Sequence, residues 1–245
     1  MSTLGLNQRF YAMLALCRVS NLPTVWSNVL TAAVLSGLPG STQNVTGALL
    51  LCFALSCFYC GGMGLNDLCD LEHDRVHQRY RPIPAGRITL AHARVVTFAL
   101  FGLALFSLLV TPHRAGLAAG VALFAVIWVY DRFHKAHPST VLAMASARLL
   151  VYVVTALALC GGVPAQVWLA GAVQAGYVLV LTLVARHEGR TAARRYAWPV
   201  IPWMLAAIAL LDGAVLAVLV NPVWLLAGIA GTALTRAAQR YVRGD

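Results

Sequence analysis

Runs of about twenty apolar residues, each closed by a charged or Gly/Pro-containing break, constrain this chain more than any other feature. They fall at about 19–38, 45–66, 93–111, 114–131, 140–160, 165–185, 197–219 and 222–240. An α-helix of this length crosses the ~30 Å hydrocarbon core of a bilayer, because each residue adds ~1.5 Å. With 60% hydrophobic and 11% charged residues and a mean hydropathy of +0.76, the composition lies outside the soluble range. The expectation is all-α: a polytopic transmembrane helical bundle of about eight spans, forming one domain over residues 1–245.

The charge says where the ends lie. The net charge of +10 comes from 18 Lys and Arg against eight Asp and Glu. A nucleic-acid-binding face would gather such an excess on one soluble surface, whereas here the cations punctuate the apolar runs, which excludes that class. The connections near 39–44, 161–164 and 220–222 carry no charge, and that near 112–114 carries only Arg114. The other cations fall near the N-terminus, in the 67–94 and 132–139 connections, around Arg148 and 186–195, and near the C-terminus. By the positive-inside rule both termini and the charged loops are cytoplasmic, which requires an even number of spans. The expected location is a plasma membrane of the bacterial inner-membrane type. The apolar stretch 10–17 is short and is followed by Arg18, so no cleavable leader is expected, and nothing points to an obligate protein partner. Cys57 and Cys60 sit within an apolar run, where packing is the expected role of a thiol.

Four of the eight acids fall in one nine-residue run, Asn66-Asp67-Leu68-Cys69-Asp70-Leu71-Glu72-His73-Asp74, at the end of an apolar span. Continued as a helix, Asn66, Asp67, Asp70 and Asp74 share one face, at spacings of three and four. Carboxylates so close repel one another unless a cation neutralises them, and an all-oxygen donor set suits Mg²⁺. Arg75, Arg79, Arg81 and Arg87 follow directly, supplying cations for phosphate oxygens that a metal leaves free. Among the acids, Asp212 is expected to lie alone inside a span, as a partner in an interhelical hydrogen bond.

Asn66-Asp67-x-x-Asp70-x-x-x-Asp74 followed by Arg81-Pro82-Ile83-Pro84-x-Gly86-Arg87-Ile88 resembles the first signature of the UbiA superfamily of intramembrane prenyltransferases. Arg18-x-x-Asn21-x-Pro23, Asn28, Tyr130 with Lys135, and Arg148 also match residues of that family. The resemblance implies a bundle around a cavity that opens at a cytosolic cap, where Mg²⁺ and an isoprenyl diphosphate are held while the tail runs into the membrane. It implies Asp67, Asp70 and Asp74 as catalytic metal ligands. Arg18, Asn21, Asn66, Arg81, Tyr130, Lys135 and Arg148 are implied as substrate-binding. Trp26, Phe58, Tyr59 and Tyr152 are candidate aromatic faces for an allylic cation.

Two departures stand out. The second signature of the family carries a pair of aspartates, but this chain reads Ala185-Arg186-His187-Glu188-Gly189-Arg190; the resemblance then implies Glu188 as the one catalytic carboxylate there, either as ligand of a second metal or, with His187 as the other candidate, as a base for the acceptor. The family typically has nine spans, and two follow this loop. A short form with a degenerate second signature resembles the EboC-like subgroup, which implies a small polar acceptor in place of an aromatic one. A terpene cyclase working through the same ionised intermediate is the nearest alternative. A transporter is an alternative of another class, though its site belongs near the membrane midplane. A histidine-ligated di-iron centre needs more histidines than the seven present.

Overall fold

The structure, a computed structural model, describes residues 6–37, 42–134, 137, 139–190 and 199–244. Among these are ten α-helices and one short 3-10 helix, Val19–Asn21. The α-helices are α1 (Leu6–Leu16), α2 (Leu22–Leu35), α3 (Thr42–Cys69), α4 (Leu71–His77), α5 (Leu90–Leu109), α6 (Ala115–Phe133), α7 (Thr140–Cys160), α8 (Ala165–Arg190), α9 (Val200–Leu219) and α10 (Trp224–Ala238). In a bilayer only helices satisfy every backbone N–H and C=O within one segment, so each apolar run becomes one.

Six helices, α3 and α5 to α9, are long and apolar enough to cross a membrane. Among the described residues six is the count by length and composition, and the other two expected spans form shorter helices. The runs at 19–38 and 222–240 do form helices, but α2 has 14 residues and α10 has 15. At ~1.5 Å per residue they reach only about 21 and 22 Å. Local chemistry cuts them short. Arg18 adopts a left-handed conformation (φ 44°, ψ 47°), so the chain turns before Pro23 opens α2, and Gly37 (φ 91°) follows its other end. Asn221 and Pro222 delay α10 until Trp224.

α2 is the central post, with Val25, Val29, Ala32 and Ala33 buried and contacts to α3, α7, α8, α9 and α10. The core around it gathers Leu51, Leu55, Phe58, Tyr152, Val154 and Leu216. The outer helices turn Val95, Phe106, Val121, Leu183 and Leu226 outward, as lipid-facing surfaces require. A second, smaller core roofs one end of the bundle. There α1 packs Ala12 and Leu16 against Leu71 of α4, Ile83 and Ile88 of the connecting loop, and Ala93 of α5.

Two glycines set helix separations. Gly64 of α3 faces the Thr97 side chain so closely that a Cβ would collide with its hydroxyl. The Gly61-Gly62-Met63-Gly64 run therefore serves close approach, with α3 unbroken through it. A Cβ on Gly213 of α9 would lie 2.6 Å from the backbone Cα of Gly228 in α10, which cannot yield as a side chain can. Gly213→Leu is expected to force α9 and α10 apart at a cost of about 1 to 3 kcal/mol, read as a lowered thermal midpoint in detergent. An unchanged midpoint would mean that the two helices do not need this contact.

Candidate active site

The roofed end is built by the polar termini of the helices. α3 ends at Cys69 and α4 begins at Leu71, yet Asp70 N–H still donates to Asn66 O and Asp74 N–H to Asp70 O, both at 2.9 Å. Helical hydrogen bonding thus carries the acidic run across the junction. Asp67, Asp70 and Asp74 are 2%, 8% and 1% exposed. Buried carboxylates need cations or donors, and each has one. Arg81 Nη1 lies 2.6 Å from Asp74 Oδ2 and 3.3 Å from Asp67 Oδ1. Arg18 Nη2 lies 3.1 Å from Asp67 Oδ1, and His134 Nε2 lies 3.4 Å from Asp70 Oδ2. The hydrogen bond to Asp70 outweighs partial burial and raises the His134 pKa, favouring the imidazolium.

Arg18 earns its unusual backbone here. A non-glycine residue in the left-handed region costs roughly 1 to 2 kcal/mol, and the turn it makes sends its guanidinium back to Asp67 and to Met63 Sδ, 3.0 Å away. Such strain at a charged cluster is characteristic of functional sites.

Beside this cluster a cavity of about 180 Å³ runs into the bundle. Its wall is apolar along Val25, Leu55, Phe58, Leu123, Ile127 and Val151, and Arg18, Tyr59, Asn66, Tyr130, Asp131 and Arg148 give it polar points. Tyr130 stacks on His134 with ring centroids 5.2 Å apart, so the end of α6 meets the acidic run. Asn66 turns from the other carboxylates to donate to Asp131 Oδ1 at 3.2 Å.

Asp131 is the site residue that the sequence reading did not single out. The available signal was an acid in the last turn of an apolar span, directly after Tyr130. Its place within the apolar helix α6 corrects the expectation that Asp212 is alone among the acids inside a span. Arg148 lies well inside α7, where Nη1 donates to Asn28 Oδ1 at 2.8 Å. Asn28 Nδ2 donates to Asp212 Oδ2 at 2.7 Å and to Tyr152 Oη at 2.9 Å. Ser27 Oγ donates to Asp212 at 2.6 Å, and the Tyr152 hydroxyl donates to its other oxygen. Asp212 therefore makes the expected interhelical bonds, joining α2, α7 and α9.

The remaining candidates divide. Asn21 does not line this cavity. Its side chain donates to Tyr59 Oη at 3.2 Å and to Gly244 O at 2.8 Å, and it accepts from Gln239 at 3.1 Å. Phe58 and Tyr59 line the cavity, whereas the Trp26 indole is half-exposed and donates to Ser56 Oγ at 2.9 Å. Arg186, from the second signature, donates to Thr140 Oγ1 at 2.9 Å and to His134 O at 3.4 Å, so the end of α8 reaches the start of α7 and the loop after α6. Glu188 lies in the last turn of α8, but its side chain falls outside the described residues, as does Lys135 entirely. His73 and His77 stack on the exposed side of α4, ring centroids 4.3 Å apart. Among the described residues no three His, Cys, Asp or Glu side chains converge as a ready metal cage.

The profile of the UbiA prenyltransferase family matches residues 20–245. The digeranylgeranylglyceryl phosphate synthase of Methanococcus vannielii is 43% identical over 84 residues, 31% of this chain and 30% of that protein. The synthase of the same name from Saccharolobus solfataricus is 32% identical over 111 residues, 42% and 39% of the two chains. The similarity thus spans well under half the length of these curated relatives. A solved structure of a digeranylgeranylglyceryl phosphate synthase superposes with a TM-score of 0.64 at 15% identity, over 96% of this chain and 95% of that one. The UbiA homolog from Archaeoglobus fulgidus bound to DMAPP and Mg²⁺ gives 0.61 at 17% identity, over 91% and 86%. These two likenesses show a shared fold. The transport and di-iron alternatives give way to the profile match across nearly the whole sequence, by which this multi-pass membrane protein belongs to the UbiA prenyltransferase family.

Proposed function

We propose that the protein transfers an isoprenyl group from an isoprenyl diphosphate to a small or aromatic acceptor, with Mg²⁺ as cofactor, at a cap facing the cytoplasm. The observation that carries this reading is a largely apolar cavity whose polar residues adjoin a buried row of carboxylates and guanidiniums. The cap orientation rests on the positive-inside rule, and residues 1–245 act as one domain.

The donor set fits Mg²⁺ by its chemistry. Asp67, Asp70 and Asp74 offer only oxygen, and in the structure their charges are balanced by Arg18, Arg81 and His134. These three aspartates would hold the metal, which when bound supplies positive charge for the departing diphosphate. The chain's own residues do the rest. Arg81 and Arg18, freed from the carboxylates, bind diphosphate oxygens, and Tyr130 and Lys135 add donors there. Asn66 and Asp131 hold the mouth in register. The apolar wall binds the tail and keeps water from the carbon that loses its diphosphate, and Phe58 and Tyr59 supply aromatic rings in that wall.

The solved A. fulgidus homolog carrying geranyl diphosphate and Mg²⁺ supports this reading. It is tested by incubating the protein with Mg²⁺ and geranyl, farnesyl or longer diphosphates, with and without aromatic and glyceryl phosphate acceptors, while following diphosphate release. Acceptor-dependent release that stops on chelation is expected. Release without any acceptor would point to cyclisation, and no release from any donor would end the proposal. Within the assay, Asp131→Asn is expected to raise the KM for the donor about tenfold with a smaller change in kcat, because it loosens Asn66 rather than removing a proposed metal ligand. A fall in kcat alone would put Asp131 at the reacting atoms.

A further inference from the structure

A second pocket, about 420 Å³, lies across Arg18 and Asp67 from the tail cavity, between α1, the loop after α4 and the segment after α10. Its lining includes Arg18, Arg81, Arg87 and Arg243 against one acid, Asp67. Asp67 is already shared by Arg18 and Arg81. Among the described residues Arg87 and Arg243 meet no carboxylate: Arg87 Nη2 donates to Tyr80 O, and the Arg243 guanidinium sits 4.9 Å over the Tyr80 ring. The buried Nε–H of Arg81 has no acceptor among the described residues. This pocket has donors in excess and wants an anion.

Its shape is held from outside the acidic run. Asn21 grips the chain beyond α10 by donating to Gly244 O and accepting from Gln239, and Val242 is buried beneath it. Arg243 is thereby pinned over Tyr80, a use for Asn21 that explains why it turns away from the tail cavity. The pocket also carries Tyr11, Tyr80 and Tyr241, all exposed, and amphipathic rings beside guanidiniums suit the depth of lipid phosphates.

We infer that this pocket is a subsite for the phosphate group of a second ligand, separate from the donor diphosphate and gripped by Arg87 and Arg243. The inference rests on the reading above in leaving the tail cavity to the donor. Two sources share this chemistry: a phosphorylated acceptor, or a phospholipid of the surrounding membrane.

The test uses the full chain in uncharged detergent without Mg²⁺, titrated calorimetrically with inorganic phosphate and with glycerol phosphate against chloride of equal ionic strength. Saturable binding is expected, weakened about tenfold by Arg243→Gln and by Arg87→Gln, as loss of a charge-assisted contact implies. Both residues are exposed, so the unliganded thermal midpoint should hold. Binding of geranyl diphosphate with Mg²⁺ to Arg243→Gln should stay within about twofold of the native value, as for independent sites. Nanodiscs of phosphatidylcholine with and without phosphatidic acid separate the sources. Competition by phosphatidic acid assigns the pocket to membrane lipid, and undisturbed glycerol phosphate binding assigns it to an acceptor. Phosphate binding no better than chloride, or unchanged in both variants, overturns the inference. A parallel loss of geranyl diphosphate in Arg243→Gln also overturns it, by making the pocket part of the donor site, whereas failed turnover with phosphate binding intact would count against the prenyltransferase reading alone.

Discussion

Asp70→Asn is expected to lower diphosphate release by about a thousandfold, the scale on which removal of one charge-stabilising group acts in a preorganised site. The substitution keeps the volume of the side chain, removes one proposed ligand charge, and leaves Asp67 and Asp74 with their arginines. Asp70 also faces His134; with the carboxylate gone, the imidazole loses the main influence that raises its pKa. The fold should survive, because the group lies at the roofed end and not among the core side chains around α2. Asp67→Asn is expected to be as damaging and less selective, since Asp67 orders both Arg18 and Arg81. Glu188→Gln should cost less than either, being the single acid in the second signature. Release assays paired with thermal midpoints check all three. Near-native turnover in both aspartate variants would remove the metal assignment, and an equal loss in Glu188→Gln would raise that residue to a primary ligand or base.

The largest effect on stability is expected at Asp212→Ala, about 3 to 5 kcal/mol, the range found when a buried charged partner is deleted from its network. Asp212 accepts from Ser27, Asn28 and Tyr152, and surrounding lipid offers no substitute for an acceptor lost there. The loss also propagates. Asn28 holds Arg148 in the cavity wall, so freeing Asn28 from Asp212 loosens the Arg148 guanidinium there. Asp212→Asn preserves an acceptor oxygen and should recover much of the midpoint. A midpoint unaltered in Asp212→Ala would show that the network contributes little, and that Arg148 is held by other means.

How far the molecule could be read from its residues depended on whether the signal was local. The helices were legible because hydrophobic length is a local property, and the acidic run because carboxylates at three- and four-residue spacings fall on one helical face whatever surrounds them. The true lengths of α2 and α10 were not legible. They depend on Arg18 accepting a left-handed backbone to reach Asp67, and on the turn at Asn221 and Pro222, neither of which hydropathy registers. Asp131 escaped notice because its importance comes from Asn66, 65 positions away. Arg148 was singled out by the family resemblance, but its partner Asn28, 120 positions away on α2, was not legible in the sequence. Arg81 was expected to face phosphate. In the structure it bridges Asp67 and Asp74, a pairing that spacing along the chain does not show, since a guanidinium among buried carboxylates is the nearest available counter-charge.

The shortness of α10 has a consequence for the surrounding lipid. This helix turns Leu226, Ile229 and Leu234 outward, yet its apolar reach is several ångströms less than the ~30 Å of an average hydrocarbon layer. Hydrophobic mismatch on that flank must be met by thinning of the adjacent leaflets, which draws headgroups down the side of the protein. Shorter acyl chains should therefore suit it better, with a higher midpoint in bilayers of twelve- to fourteen-carbon lipids than in eighteen-carbon ones.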